Sequence, residues 1–206
     1  MNKKSLIGLL LFFGYPFLLK LLKLDLWHGE IAWWLLLVLM LAWIFRVEKR
    51  DLSSVGWQRM TLKSVLTGIG LGVVLFIVFG IITTIIQSIG LELNQEVGQL
   101  IASQPFPLLL LIALRAGIVE ELLYRSFSYE RILELTGKKW LAALLPVLMF
   151  TLVHLNWGVG HLFFVFIGGM LFMTMYMAKR NLGMLIIAHF TTDVFALLVI
   201  PLMVSG

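Results

Sequence analysis

The sequence predicts an all-α, polytopic transmembrane helical bundle of about seven spans with a cytoplasmic N-terminus, on three observations. Of its 206 residues, 61% are hydrophobic and 13% charged, where soluble domains average about 45–50% and about 25%. The apolar residues gather into runs near the ~20 residues that cross a bilayer, and mean hydropathy is +1.01. Lysine and arginine collect at the ends of alternate runs. An outer-membrane barrel would alternate polar and apolar residues over ~10-residue segments, a pattern absent here. No polar linker is long enough to join two independent units, so one integrated membrane domain is expected.

The elements follow in order. The apolar stretch 5–19 after Lys3 and Lys4 has the outline of a signal peptide, but no small-residue cleavage site follows it. It leads into Lys20 and Lys23 and reads as a retained first span. A second span covers about 31–45, flanked by Trp27, Trp33 and Trp43. The third, about 65–89, carries Gly68, Gly70, Gly72 and Gly80, small residues that permit close helix approach in lipid. The fourth covers about 105–127, the fifth about 140–155 with Pro146 inside it, the sixth about 161–178 and the seventh about 182–204. Between the second and third lies a basic linker, 46–64, read as a solvated cytoplasmic loop beside anionic lipid or a short interfacial helix.

Charge orients the bundle. With the N-terminus inside, Lys3, Lys4, the basic residues of 46–63, Arg125, Arg131, Lys138, Lys139, Lys179 and Arg180 fall on the cytoplasmic face, and Lys20 and Lys23 outside. That bias is what the positive-inside rule predicts, and it accounts for the net charge of +5 without nucleic acid as a partner. The chain has no cysteine, which excludes disulfides, thiolate metal sites and a cysteine nucleophile.

Ionisable residues within the spans are expensive, roughly 2.5–3.5 kcal/mol each on insertion scales, and are functional candidates by default. They are Arg115, Glu120, Glu121, His154, His189 and Asp193, with Arg125 at a helix edge. All lie in the C-terminal half, so residues 1–104 read as a scaffold of three spans and 105–206 as a core of four. At helical spacing Glu121 and Arg125 share a face, an arrangement that more often serves packing than chemistry. Glu120 points ~100° away, with Tyr124 one turn on to orient it. His189 and Asp193 share a face, as do Phe150 and His154. Arg115 is assigned pairing or snorkelling, and His28 and His161 interfacial positions. A packing role accounts for each piece alone and accounts poorly for carboxylates and histidines on three spans together.

Glu120-Glu121-x-x-x-Arg125, Phe150-x-x-x-His154 and His189-x-x-x-Asp193 resemble, in order, the three motifs of the CAAX-protease and bacteriocin-processing family (CPBP, or Abi) of intramembrane proteases. The resemblance covers about 105–204. It implies that Glu120 and His154 position and deprotonate a water, general-base work worth about 10²–10⁴-fold. It also implies that His189 and Asp193 face the developing oxyanion. Asp193, where the family also uses asparagine, donates only if protonated and otherwise holds His189 in one tautomer. Glu121 and Arg125 become support. Glu120, His154 and His189 also compose a His₂Glu set of the zinc-peptidase kind, but the His-Glu-x-x-His helix is absent, and the metal-free version is slightly preferred over zinc.

The implied substrate is a membrane-anchored or lipophilic peptide, reached through a cavity expected to open toward the cytoplasm. A small chain without organellar targeting points to a bacterial plasma membrane and away from prenyl-protein processing. The alternative is a non-catalytic bacteriocin-immunity or partner-binding membrane protein of the same family. A proton pathway ranks last. Counting ~1.5 Å per residue leaves a mismatch: Glu120 and His189 come out ~10 Å from the cytoplasmic edge and His154 ~20 Å. A tilted or protruding fifth helix is expected to reconcile them.

Overall fold

A computed structural model describes residues 3–94, 99–100 and 103–199; the end of the seventh expected span and part of the 91–104 loop lie outside the described residues. All the described elements are helical. They are α1 (Lys3–Leu22), α2 (Leu26–Ala42) with a π-helical turn at Trp43–Val47, and a 3₁₀ turn at Leu52–Val55. Next come α3 (Leu62–Ser88), α4 (Phe106–Arg115), a π-helical segment (Ala116–Phe127) and α5 (Ser128–Thr136). The chain continues with α6 (Lys139–Val153), a 3₁₀ turn at Leu155–Trp157, α7 (Val159–Lys179), and α8 (Leu182–Val194) with a π-helical turn at Phe195–Val199.

Four helices are long and apolar enough to cross a bilayer: Lys3–Leu22, Leu26–Val47, Leu62–Ser88 and Val159–Lys179. Lys139–Val153 and Leu182–Leu198 are apolar but shorter. The remaining expected span is the charged rod α4–π–α5. This is a multi-pass membrane protein, and its surface agrees. Ile69, Val74, Ile77, Ile81 and Ile85 of α3 are exposed while Glu121, Arg125 and Arg131 are buried, an inside-out distribution suited to lipid.

Local sequence sets the ends. Asp25 begins α2 by accepting from the His28 N–H, a bond that also holds its carboxyl below the usual range. Thr61 and Ser64 form a capping box on α3, and Asn181 caps α8 through the Met184 N–H. Gly137, at φ 66°, supplies the left-handed residue that ends α5 and turns the chain into α6. Of the four α3 glycines, Gly68 and Gly72 fit the expected close approach: a Cβ there would meet Met184 O at 2.8 Å and Thr191 Cβ at 2.5 Å on α8, whereas Gly70 and Gly80 face nothing within 4 Å.

The linker differs from the expected solvated loop because it is fastened on both sides. Arg131, fully buried, pairs with Glu48 at 2.5 Å and donates to Ser54 O, while Ser126 Oγ donates to Val55 O. Arg50 clasps Glu134 through two 2.8 Å bonds, and Leu182 N–H donates to Gly56 O. Glu130 joins Arg180 and Tyr176 at the α7–α8 turn. Arg125 and Arg131, expected at the cytoplasmic face, are 1% exposed, because each has a buried carboxylate partner.

Removing one member of a buried pair leaves an uncompensated charge and costs about 3–5 kcal/mol. Arg131→Met is therefore expected to lower thermal stability in detergent sharply, and adding Glu48→Met to recover most of the loss.

Candidate active site

The depth mismatch is removed by the turn at Gly137. The fourth helix runs nine residues beyond its expected end, to Thr136, so Glu120 and His154 lie 17 positions before and after Gly137 in an antiparallel hairpin. At ~1.5 Å per residue both sit ~25 Å from that turn. Accordingly they line one cavity of about 330 Å³, with Arg115, Tyr124, Phe150 and Trp157.

Glu120 is held by Arg115, whose Nη1 donates to Oε1 at 2.8 Å. The pair is five residues apart, and the π-helical segment, with its i→i+5 bonds, brings them onto one face. Arg115 also donates from Nη2 and Nε to Glu30 at 3.0 and 3.2 Å and lies 5.3 Å from the Trp33 ring centroid. Glu30 is 4% exposed. It was missed because α2 starts five residues before the expected boundary, which draws Glu30 inside the bundle. The N-terminal half therefore contributes a side chain that contacts Arg115 beside Glu120.

His154 closes α6, and its Nδ1 lies 2.8 Å from Phe150 O. A carbonyl only accepts, so Nδ1 carries a proton, and in the neutral form of the ring Nε2 is the free acceptor. Its ring meets Trp157 edge-on at 4.9 Å and stacks on His161 at 6.2 Å, so His161 serves as packing for His154. Phe150 also presents its ring to the Arg125 guanidinium at 4.3 Å and to Tyr124 at 5.0 Å.

Glu121, fully buried, takes the other direction. It pairs with Arg125 at 3.3 Å and accepts from His189 Nδ1 at 2.7 Å. His189 Nε2 is 3.6 Å from Asp193 Oδ2, beyond a hydrogen bond, and the ring stacks on Phe172 at 4.8 Å. His189 and Asp193 line a second, mainly apolar cavity of about 390 Å³ with Arg125, Phe150 and Phe172. The structure thus brings Glu120 to His154, and His189 to Glu121 and Asp193. Phe150 borders both cavities, and Glu120 stays within electrostatic reach of His154, His189 and Asp193. The His₂Glu metal set does not assemble: His189 is bound to Glu121 in the neighbouring cavity, and among the described residues no three His, Asp or Glu side chains are grouped to hold an ion.

A multi-pass helical bundle with a buried carboxylate–histidine cavity is the class that fold and site define. Residues 102–195 match the family model described as Type II CAAX prenyl endopeptidase Rce1-like, a span that takes in all three motifs, and the resemblance to the CAAX-protease family is borne out over it. The match supports a CAAX protease-type enzyme. No curated protein and no solved structure matches the chain.

The two glutamates are expected to separate in stability. Glu120→Gln leaves Arg115 paired with Glu30 and should cost about 1 kcal/mol or less. Glu121→Gln strands the Arg125 charge and should cost about 3–5 kcal/mol, read by thermal unfolding of both variants in one detergent.

Proposed function

We propose that the protein is an intramembrane endopeptidase that hydrolyses peptide bonds of membrane-associated peptides by a water activated between Glu120 and His154. The observation that carries this reading is the single cavity lined by both side chains, with His154 held as the Nδ1–H tautomer by Phe150 O. A carboxylate and an imidazole lone pair in one site of limited water access can remove a proton from water and return it to the departing amine. Arg115 and Glu30 act as positioning residues that fix the carboxylate.

Stabilising the tetrahedral oxyanion needs a donor in that cavity. Tyr124 lines it, and its hydroxyl is buried without a hydrogen-bond partner, so we assign it this role. His189, assigned with Asp193 to the oxyanion by the resemblance, acts here through Glu121, to which it donates from Nδ1. We place the protein in a plasma membrane, and a bacterial one, as part of the same proposal. The family's other reading, a bacteriocin-immunity or partner-binding protein, uses the same cavity to hold a peptide without cutting it.

Comparative proteomics of membrane-associated peptides in cells carrying wild type or Glu120→Gln tests the reading. Loss of cleavage products is expected, and an unchanged peptide set would favour the binding protein. On a substrate so identified, Tyr124→Phe should lower kcat by about 10²–10³ with little change in KM. A comparable loss for His189→Ala with Tyr124→Phe silent would return the oxyanion role to His189. Glu30→Gln, which loosens Arg115, should reduce kcat by up to about 10² at near-native stability.

A further inference from the structure

We infer that residues 52–60 form a strap that sets the spacing between the segment carrying Glu120 and Glu121 and the helix carrying His189, with Gln58 as its positioning residue for the Glu121–His189 pair. The strap stands on contacts alone; its effect on turnover rests on the proposed peptidase reading. It lies outside the family match, which begins at residue 102.

Local chemistry aims the strap two ways. Asp51 opens the 3₁₀ turn by accepting from the Ser53 N–H, and Gly56, at φ 68°, ends it in the left-handed region that glycine adopts freely. The consecutive carbonyls of Val55 and Gly56 are then taken by different elements. Val55 O accepts from Ser126 Oγ, five residues after Glu121 on the π-helical segment. Arg131 adds a bond to Ser54 O at 2.9 Å on the same side. Gly56 O accepts at 2.9 Å from the Leu182 N–H, a donor at the start of α8 that the helix itself cannot satisfy, seven residues before His189.

Gln58 completes the α8 side. Its Nε2 donates to Arg180 O at 3.0 Å and to Lys179 O at 3.4 Å, carbonyls left over at the end of α7, and its Oε1 accepts from Asn181 Nδ2 at 3.4 Å. Arg180 needs that support, because φ 44° is a left-handed backbone that a residue with a Cβ adopts at a cost. Glu130 grips the Arg180 side chain from α5, which leaves the carbonyl to Gln58. The fit has no slack. A Cβ on Gly56 would meet Tyr176 Oη at 2.5 Å and Arg180 O at 3.1 Å, and one on Gly183 would collide with Met60 Sδ. The two elements so spaced meet again deeper, where His189 Nδ1 donates to Glu121 Oε1 at 2.7 Å. A slip of about 0.5 Å between them takes that bond to the limit of normal length. Glu120 rides on the same backbone as Glu121, so the slip reaches the cavity.

The histidines make the pair visible, since the chain has only His28, His154, His161 and His189. Full-length protein with isotope-labelled histidine is placed in lipid nanodiscs, and the ring N–H protons are assigned by NMR through His28→Gln, His154→Gln and His161→Gln. Gln58→Glu keeps the size of the side chain and removes its donor. Gln58 is exposed, so the unfolding temperature should stay near that of wild type. The His189 Nδ1 proton is expected to move upfield or be lost to exchange in Gln58→Glu and in Gly56→Ala. The His154 proton, bonded to Phe150 O on α6, should stay in place. Arg50→Ala frees the linker from Glu134 on α5 without touching the α8 contacts and should leave both protons unchanged. On a peptide that wild type cuts, Gln58→Glu should lower kcat about tenfold with KM within about twofold. An unmoved His189 proton in folded Gln58→Glu, or an equal change in Arg50→Ala, overturns the positioning role. A His189 shift in Gln58→Glu together with a wild type that cuts no peptide upholds the strap and sinks the peptidase reading alone.

Discussion

Everything in the bundle interior hangs on the burial of Glu121. Its carboxylate is fully buried at membrane depth, where a lone charge is costly enough to force partners onto it. Arg125 supplies one from its own segment and His189 the other from α8. Arg125 in turn lies on the Phe150 ring of α6. One buried carboxylate thus ties together the elements that carry all three motifs. The spacing within each motif follows from these contacts. Arg125 must fall one turn from Glu121, and Phe150 must place its carbonyl one turn before His154 while its ring carries the guanidinium.

With Glu121 committed to the interior, its neighbour is left for the cavity. In a regular helix Glu120 would diverge from Glu121 by ~100°, and in the π-helical segment Ala116–Phe127, with more residues to each turn, the two still point apart at a somewhat smaller angle. π-helical stretches are rare and occur mostly as single turns, frequently at functional sites; this one spans 12 residues. Its consequence is local and chemical. Arg115 and Glu120, five positions apart, become neighbours, and the same guanidinium reaches Glu30 on α2. An arginine shared between two carboxylates holds the outer one at a fixed orientation without fully burying it.

Much of this was legible before any coordinates. Apolar runs gave the helices, the basic flanks gave an orientation, and Glu120, Glu121, His154, His189 and Asp193 stood out as charges with no place in lipid. What was hidden was pairing. Helical spacing brings Glu121 to Arg125 but says nothing of which carboxylate on one helix meets a histidine on another, and His189 met Glu121. Nothing in Ala116–Phe127 signals a π-helix, so the Arg115–Glu120 contact could not be read. Glu30 sat one residue outside an estimated boundary, and boundaries are the weakest part of a sequence reading. A signal for the hairpin was available: Gly137 lies midway between Glu120 and His154, and counting outward from it levels the two.

The family match begins at residue 102, yet the cavity does not. Its floor, Glu120, Tyr124, Phe150 and His154, comes from the matched segment, while Lys20, Lys23, Leu24, Gly29 and Trp33 of its walls come from α1 and α2. Floor and walls are thereby placed on different parts of the chain. The floor is braced from beneath by the buried Glu121–Arg125 pair, where losing either member strands a charge. The walls carry no such constraint: Lys23 and Leu24 are exposed and can be exchanged at little cost in stability. Glu30 binds the wall side to the floor through Arg115. The two N-terminal helices shape the walls, and Glu30 ties them to Arg115 beside Glu120.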